Sequence, residues 1–240
     1  MTVKQKTLGI IILIDLVLLL TWLALMVVLG ASGQMPGDFK EAVAFAAEGD
    51  WLFYTLNYAN ASMYAILNGL VFAGLYAMLK DDDPGWAAMG VVLVPVIVFI
   101  NLFSYLSQLV LVPGLIELAA APESGAAAEV LLRSLLQTSP ESALLYFDQF
   151  GYFLLSVPGL VFGILLYRRG KPHKVGGALL ASSGAFCAPI GLGVLAGIGW
   201  LVDAPSMIGG VLMMLAFGFI GVNLLRHQPE MVLGAEKDLK

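Results

Sequence analysis

Charge is what this chain has least of. Asp, Glu, Lys and Arg make up only 12% of its 240 residues, about half the roughly 25% of an ordinary soluble domain. With 60% hydrophobic residues and a mean hydropathy of +0.91, water is not its main solvent. The 12 basic residues are outnumbered by 17 acidic ones, for a net charge of −5. No basic stripe of the kind a phosphate backbone requires can be assembled, which excludes nucleic acid as a partner.

Cysteine and histidine are nearly missing too. The single Cys187 lies in an apolar run; it rules out an intramolecular disulfide and reads as a small buried hydrophobe rather than a reactive thiol. The two histidines, His173 and His227, fall at span edges, so no His-rich intramembrane metal site is available. The chain has no H-E-x-x-H, no G-x-S-x-G, no Walker A loop, no dinucleotide fingerprint and no lysine within a span to hold a Schiff base. A non-enzymatic protein with no metal and no cofactor is expected.

Long apolar runs are abundant. They cover 8–30, 53–79, 86–112, 144–167, 176–202 and 205–225, and each is long enough to cross hydrocarbon, which takes about 20 helical residues. They exceed the roughly ten residues of a barrel strand and lack its alternation. The fold class expected is all-α, a polytopic integral membrane bundle of six transmembrane helices forming one domain over 1–240, with the lipid bilayer as its partner. Asp83-Pro84-Gly85 and Ser139-Pro140-Glu141 each place a capping side chain before a proline. Asp203-Ala204 is the shortest connection and makes the last two spans a hairpin. The N-terminal run after Lys4 and Lys6 reads as a span rather than a removed leader, because it is long, contains Asp15 and lacks a clear small-x-small site.

Positive charge near span ends is retained in the cytoplasm. With the N-terminus inside, Lys4, Lys6, Lys80, Arg168, Arg169, Lys171, Lys174, Arg226, Lys237 and Lys240 are cytoplasmic, and only Lys40 and Arg133 are outside. Both termini are therefore expected in the cytoplasm and the protein in the plasma membrane. Two outer loops have helical character and predict interfacial helices. The first, 37–47, puts Phe39, Val43 and Ala46 on one face. The second, 123–137, puts Val130, Leu131, Leu135 and Leu136 on one face.

The candidate site comes from polar residues in the outward halves of three spans. Asn57, Asn60, Tyr64 and Asn68 recur at helical spacing in the second span; Asn101, Ser104, Tyr105 and Gln108 do so in the third, and Asp148, Gln149, Tyr152 and Ser156 in the fourth. An unpaired amide or carboxyl facing hydrocarbon costs several kcal/mol, so the three stripes are expected to turn toward one another. They either bond only to each other and hold the helices together, or surround a small-molecule or lipid ligand. Asp148 is the sharpest candidate, since no Lys, Arg or His lies within a span to neutralise it. It must carry a proton, bind a cation or sit in water near the interface. Asp15 lies about seven residues, roughly 10 Å, from the cytoplasmic end of the first span. It is expected to pair with a Ser, Asn or Tyr, or to share a proton or cation path with Asp148.

The fifth and sixth spans speak of packing. Gly193 with Gly197 and Gly184 with Ala188 are small-xxx-small pairs, and Pro95, Pro158 and Pro189 are expected to kink their helices. The order of features, with "LNGLVFAGLYAMLK" at 67–80 and "GILLYRRGKPHKVGGALLASSG" at 163–184, resembles the prokaryotic six-helix membrane family called domain of unknown function 4386. The resemblance implies six spans and a plasma-membrane location, and brings no activity or catalytic residues. The expectation is thus a membrane protein whose polar core binds a small ligand, a lipid or a partner helix. A transporter or channel for a proton, cation or small solute, and an accessory subunit or homo-oligomer, are the other readings.

Overall fold

The computed structural model describes residues 3–31, 36–48, 51–121 and 125–226. Glu123, His227, Lys237 and Lys240, and the side chains of Lys4 and Phe53, lie outside the described residues. Among these the chain is all-helical: α1 (Val3–Ala31), α2 (Phe39–Glu48), α3 (Trp51–Leu79), α4 (Pro84–Val92), α5 (Val94–Val110), α6 (Val112–Ala119), α7 (Gly125–Leu135), α8 (Ala143–Arg168), α9 (Lys174–Ala196) and α10 (Trp200–Arg226). Six helical stretches are long and apolar enough to cross a membrane: α1, α3, α4 with α5, α8, α9 and α10. The protein is a multi-pass helical bundle.

Chain neighbours are also neighbours in space, and the six spans close into a ring in which α10 returns to pack on α1. Close approaches fix the antiparallel order. Gly74 meets Leu8, Gly69 meets Val98, Gly151 meets Asn101, Gly176 meets Ile220, and Gly9 meets Leu224. Every second turn therefore falls on the same face. One face, the basic face, carries the start of α1, the turns before α4 and α9, and the end of α10, with Lys6, Lys80, Arg168, Arg169, Lys171, Lys174 and Arg226. The opposite, capped face carries α2, α6 and α7, with Lys40 and Arg133.

The tightest seam lies between α8 and α9. A Cβ built on Gly163 would fall 2.2 Å from the Ala181 backbone nitrogen, one on Gly177 2.4 Å from that of Tyr167, and one on Gly184 2.5 Å from that of Leu160. Only hydrogen fits at these positions, and lipid-embedded helices gain from such backbone approach by dispersion. The expected pair of Gly193 and Gly197 is corrected. Gly193 does pack on Leu201 and Val202, but Gly197 is the left-handed residue (φ 67°) that ends α9, and a Cβ built on it would meet nothing within 4 Å.

That glycine also moves a boundary. The connection between the last two spans is 197–199, where the Ile198 amide donates to the Gly193 carbonyl at 2.9 Å. Asp203 and Ala204 sit inside the first turns of α10, because an acidic side chain suits a helix N-terminus. The third span begins at Pro84 rather than residue 86, with Asp83 accepting from the Trp86 amide. It is interrupted at Leu93, just ahead of Pro95, which has no N–H to continue the ladder. Pro158 and Pro189 lie inside unbroken helices. At the fourth span the cap is Ser142 rather than Ser139; Ser139 instead accepts from the Glu141 amide within the turn.

The cap has its own small core of Phe39, Ala42, Val112, Leu132 and Leu136, with Val43 and Ala46 against it. Helix α6, not expected from the sequence, supplies Val112. On α7 the buried face is Ala128 and Leu132, followed by Leu136, whereas Val130 and Leu131 point away. Of the expected face Leu136 is buried as read and Val130 and Leu131 are not, because the cap is filled by residues spaced four apart that meet Phe39 and Val112. Across the ring, Phe72, Phe162 and Phe217 meet in the half nearer the basic face, with Phe72 stacked on Phe162 at 6.0 Å and edge-on to Phe217 at 6.5 Å.

On the basic face Arg169 ties two turns together. Its Nε and Nη2 donate to the two Asp82 carboxylate oxygens, and Nη2 also donates to the Met78 carbonyl at 2.7 Å. This bonding holds the Asp82 carboxyl below its ordinary value of 3.8. The folded group therefore gives up its proton more readily than the unfolded one, and the stabilisation is complete above the ordinary value and lost as pH falls below it.

Two outcomes are expected. Gly163→Ala should lower the melting temperature of the purified protein through an overpacking cost of about 1–3 kcal/mol, whereas Gly210→Ala, where a Cβ meets nothing within 4 Å, should not. Asp82→Asn should destabilise by less than about 1 kcal/mol, since this pair is partly exposed. In thermal melts the difference from wild type should be present at neutral pH and vanish in acid.

Candidate functional site

The cluster lies in the half of the ring nearer the capped face, between α3, α5 and α8 and beneath the turn from α7 to α8. Asp148 follows the α8 cap Ser142 by six residues, about 9 Å into the span at 1.5 Å per residue. It is 4% exposed, so this carboxyl is not simply wetted at the interface. Its Oδ2 accepts from Gln137 Nε2 at 3.0 Å. Its Oδ1 has no hydrogen-bond partner. The Tyr105 hydroxyl lies beside the carboxyl, and it shares a 3.0 Å hydrogen bond with the Tyr152 hydroxyl.

Gln108 is the hub that fastens the cap to the spans. Its Nε2 donates to the Leu135 carbonyl at 2.7 Å, and its Oε1 accepts from the Gln137 amide at 3.0 Å and the Tyr54 hydroxyl at 3.1 Å. Each of these partners is a group that helix geometry leaves unpaired or that lipid cannot satisfy. Ser142 adds a second tie, donating to the Ser134 carbonyl at 3.0 Å. Gln137 is thereby held with its side chain on Asp148.

The expected stripes are not all brought together. Asn57, Asn101, Ser104, Gln108 and Asp148 are buried, and Tyr64 and Tyr152 lie within electrostatic reach of Asp148. Asn101 Oδ1 lies against Gly151 of α8, with Ile100 beside it. Asn60 is corrected. It turns to α1 and donates to the Leu18 carbonyl at 2.9 Å, joining helices rather than lining the cluster.

Gln149 is corrected as well. One residue on from Asp148 it is rotated by about 100° around the helix, and its Oε1 accepts from Ser206 of α10 at 3.1 Å. There it lines a separate groove of roughly 260 Å³ on the capped face, with Tyr146, Gly193, Val202 and Asp203.

Asp15 is fully buried, between α1 and α3. It lies ten residues past Gln5, where the first span begins, about 15 Å deep at 1.5 Å per residue. That is further from the basic face than the run starting at residue 8 implied. Asn68 and Tyr64 lie within electrostatic reach of it, the expected amide and phenol. Neither of its oxygens is met at hydrogen-bond geometry.

Gln137 and Tyr58 were missed as site residues, and Tyr105 was seen only as part of a stripe. Gln137 lies outside every apolar run, and its one sequence signal is position: a polar residue ending the cap helix, a short turn ahead of the acid-bearing span. Several oxygens in the cluster lack partners, including Asp148 Oδ1, Gln137 Oε1, Asn57 Oδ1, Asn101 Oδ1 and Ser104 Oγ. With Nε2 given to the Asp148 carboxyl, the Gln137 Oε1 is left as its free end.

No protein-family model, curated protein or solved structure matches the chain.

Gln108→Leu leaves the Leu135 carbonyl, the Gln137 amide and the Tyr54 hydroxyl unpaired, at about 1–3 kcal/mol for each group that stays buried. Amide hydrogen exchange over 132–142 should accelerate while that of α9 and α10 stays unchanged. Equal exchange in the two proteins would show that Gln108 does not hold the cap.

Proposed function

We propose that this is a non-enzymatic protein of the plasma membrane, with both termini in the cytoplasm, whose Asp148 cluster binds a small hydrogen-bond-donating solute or cation from outside the cell. The observation that carries the reading is the Gln137–Asp148 pair. It joins the cap to a span while leaving one acceptor oxygen on each residue free. A buried acceptor without a donor is costly, so the arrangement favours an occupant that brings N–H or O–H groups. A cationic donor fits best, because the basic side chains of the spans, Lys6, Arg168, Lys174 and Arg226, all stand at the opposite, basic end.

Orientation is supported by the charge on the two faces. Among the described side chains, Lys6, Lys80, Arg168, Arg169, Lys171, Lys174 and Arg226 share one face, against Lys40 and Arg133 on the other. The positive-inside bias supports a cytoplasmic basic face and an external cap. The order of features resembling the domain of unknown function 4386 proteins supports the same location.

Binding is tested by thermal shift on the purified protein with ammonium, methylammonium and guanidinium salts at constant ionic strength, against tetramethylammonium, a cation with no N–H. The donor cations should stabilise wild type in proportion to ln(1 + [L]/Kd), and Asp148→Asn should abolish the shift. Equal stabilisation by tetramethylammonium, or a shift that survives in Asp148→Asn, would exclude the cluster as the site.

A further inference from the structure

Two buried carboxyls stand at different depths in the ring, and the polar groups between them form a column. From the capped side it runs from Asp148 to the Tyr105 hydroxyl beside it, and to Tyr152 through a 3.0 Å hydrogen bond. Tyr64 of α3 lies within electrostatic reach of both Tyr152 and Asp15. Asn68 Nδ2 donates to the Tyr64 hydroxyl oxygen at 3.5 Å and stands beside Asp15. At its deep end Asp15 is fully buried with neither oxygen hydrogen-bonded.

Beyond Asp15 the column stops. Ile12, three residues nearer the basic face on α1, and Phe72, four nearer on α3, are fully buried. Phe72 packs with Phe162 and Phe217 across the ring, and Leu75 continues the same apolar core. Hydroxyls and amides therefore reach Asp15 from one side, and on the other Ile12 and Phe72 precede Tyr76, the next phenol of α3 toward the basic face.

We propose that Asp15 exchanges its proton with the solution on the capped face alone, by a relay through Tyr64, Tyr152 and Tyr105 to Asp148. Each hydroxyl oxygen takes one proton as it gives up its own, so the column is unchanged after a passage. An O–H bond breaks at one carboxyl, an O–H bond forms at the other, and Asp148 trades with water. Asn68 does not relay. By donating to the Tyr64 oxygen it leaves that hydroxyl's hydrogen free to turn toward Asp15 or Tyr152. Three steps, Tyr105 to Asp148, Tyr152 to Tyr64 and Tyr64 to Asp15, lack a hydrogen bond, so passage waits on a ring rotation or an entering water. A gated, blind-ended relay carries no steady current; it sets the charge of a mid-membrane group by the pH on one side.

The surroundings contribute little competing charge. The ionisable residues of α10, which packs on α1, are Asp203 and Arg226, one near each end of the helix. Around Asp148 the ionisable groups are phenols, with Tyr58 the remaining one. Cys187 of α9 neighbours Tyr64 and Tyr152. The inference goes beyond the ligand reading and holds whichever solution the cap faces.

The test is infrared spectroscopy of the full chain in uniformly oriented proteoliposomes, following the carboxylic C=O band that Asp15→Asn removes. A pH step on the capped side should change that band, and the same step on the basic side should not. In nanodiscs, Tyr64→Phe should slow hydrogen–deuterium exchange of the band roughly tenfold, a modest rise in barrier. Asp148→Asn, which alters no packing at Asp15, should slow it as well. A response to the basic side, exchange that is unchanged in both variants, or an Asp15 band absent at every pH at which the protein stays folded would each overturn the relay. Loss of donor-cation binding leaves these readouts untouched, so the two proposals fail separately.

Discussion

Hydrocarbon offers an amide or a hydroxyl no partner, and in a chain with about one charged residue in eight that constraint decides which way each span faces. The six spans meet it by closing a ring, with α10 returning to α1. Inside, the groups divide by depth. Polar side chains of α3, α5 and α8 fill the half beneath the cap, and Phe72, Phe162 and Phe217 fill the half above the basic face. The division is what makes the bundle asymmetric across the membrane, since both halves are built by the same helices.

The glycines of α8 and α9 and the amides of α5 act on opposite faces of this arrangement. Where Gly163 and Gly177 let two backbones touch, there is no room for a side chain, polar or apolar, and the seam is inert. Where Asn101 meets Gly151, the space a side chain would have taken holds an amide instead. Small residues thus serve two ends within one helix, closing α8 against α9 and admitting polar groups between α8 and α5.

The spans were legible because their signal is length and apolarity, which the bilayer thickness fixes. The polar stripes were legible because helical spacing places Asn101, Tyr105 and Gln108 together whatever the tertiary fold. What spacing cannot give is rotation about the helix axis. Asp148 and Gln149 are adjacent and equally polar, yet one turns to α5 and the other to α10. Asn60 shares a stripe with Tyr64 but finds the Leu18 carbonyl of α1. The cap was misread for a related reason: its buried face is chosen by Phe39 and Val112, residues far away in the chain. The α9–α10 turn was misplaced because Gly197 looks in sequence like one more packing glycine, and only its left-handed backbone ends the helix.

The break at Leu93 gives the third span a property the other five lack. Nine residues past Pro84, it falls about 14 Å along the span at 1.5 Å per residue, near the middle of a hydrocarbon layer about 30 Å thick. Below it α4 is wedged by Gly90 against Val161 and Phe162; above it α5 carries Gln108, which holds the roof. An unbroken rod would transmit any tilt of its upper end into the aromatic layer beneath. The interruption at Leu93 means that the roof and its struts are not tied to the floor by one unbroken run of backbone hydrogen bonds.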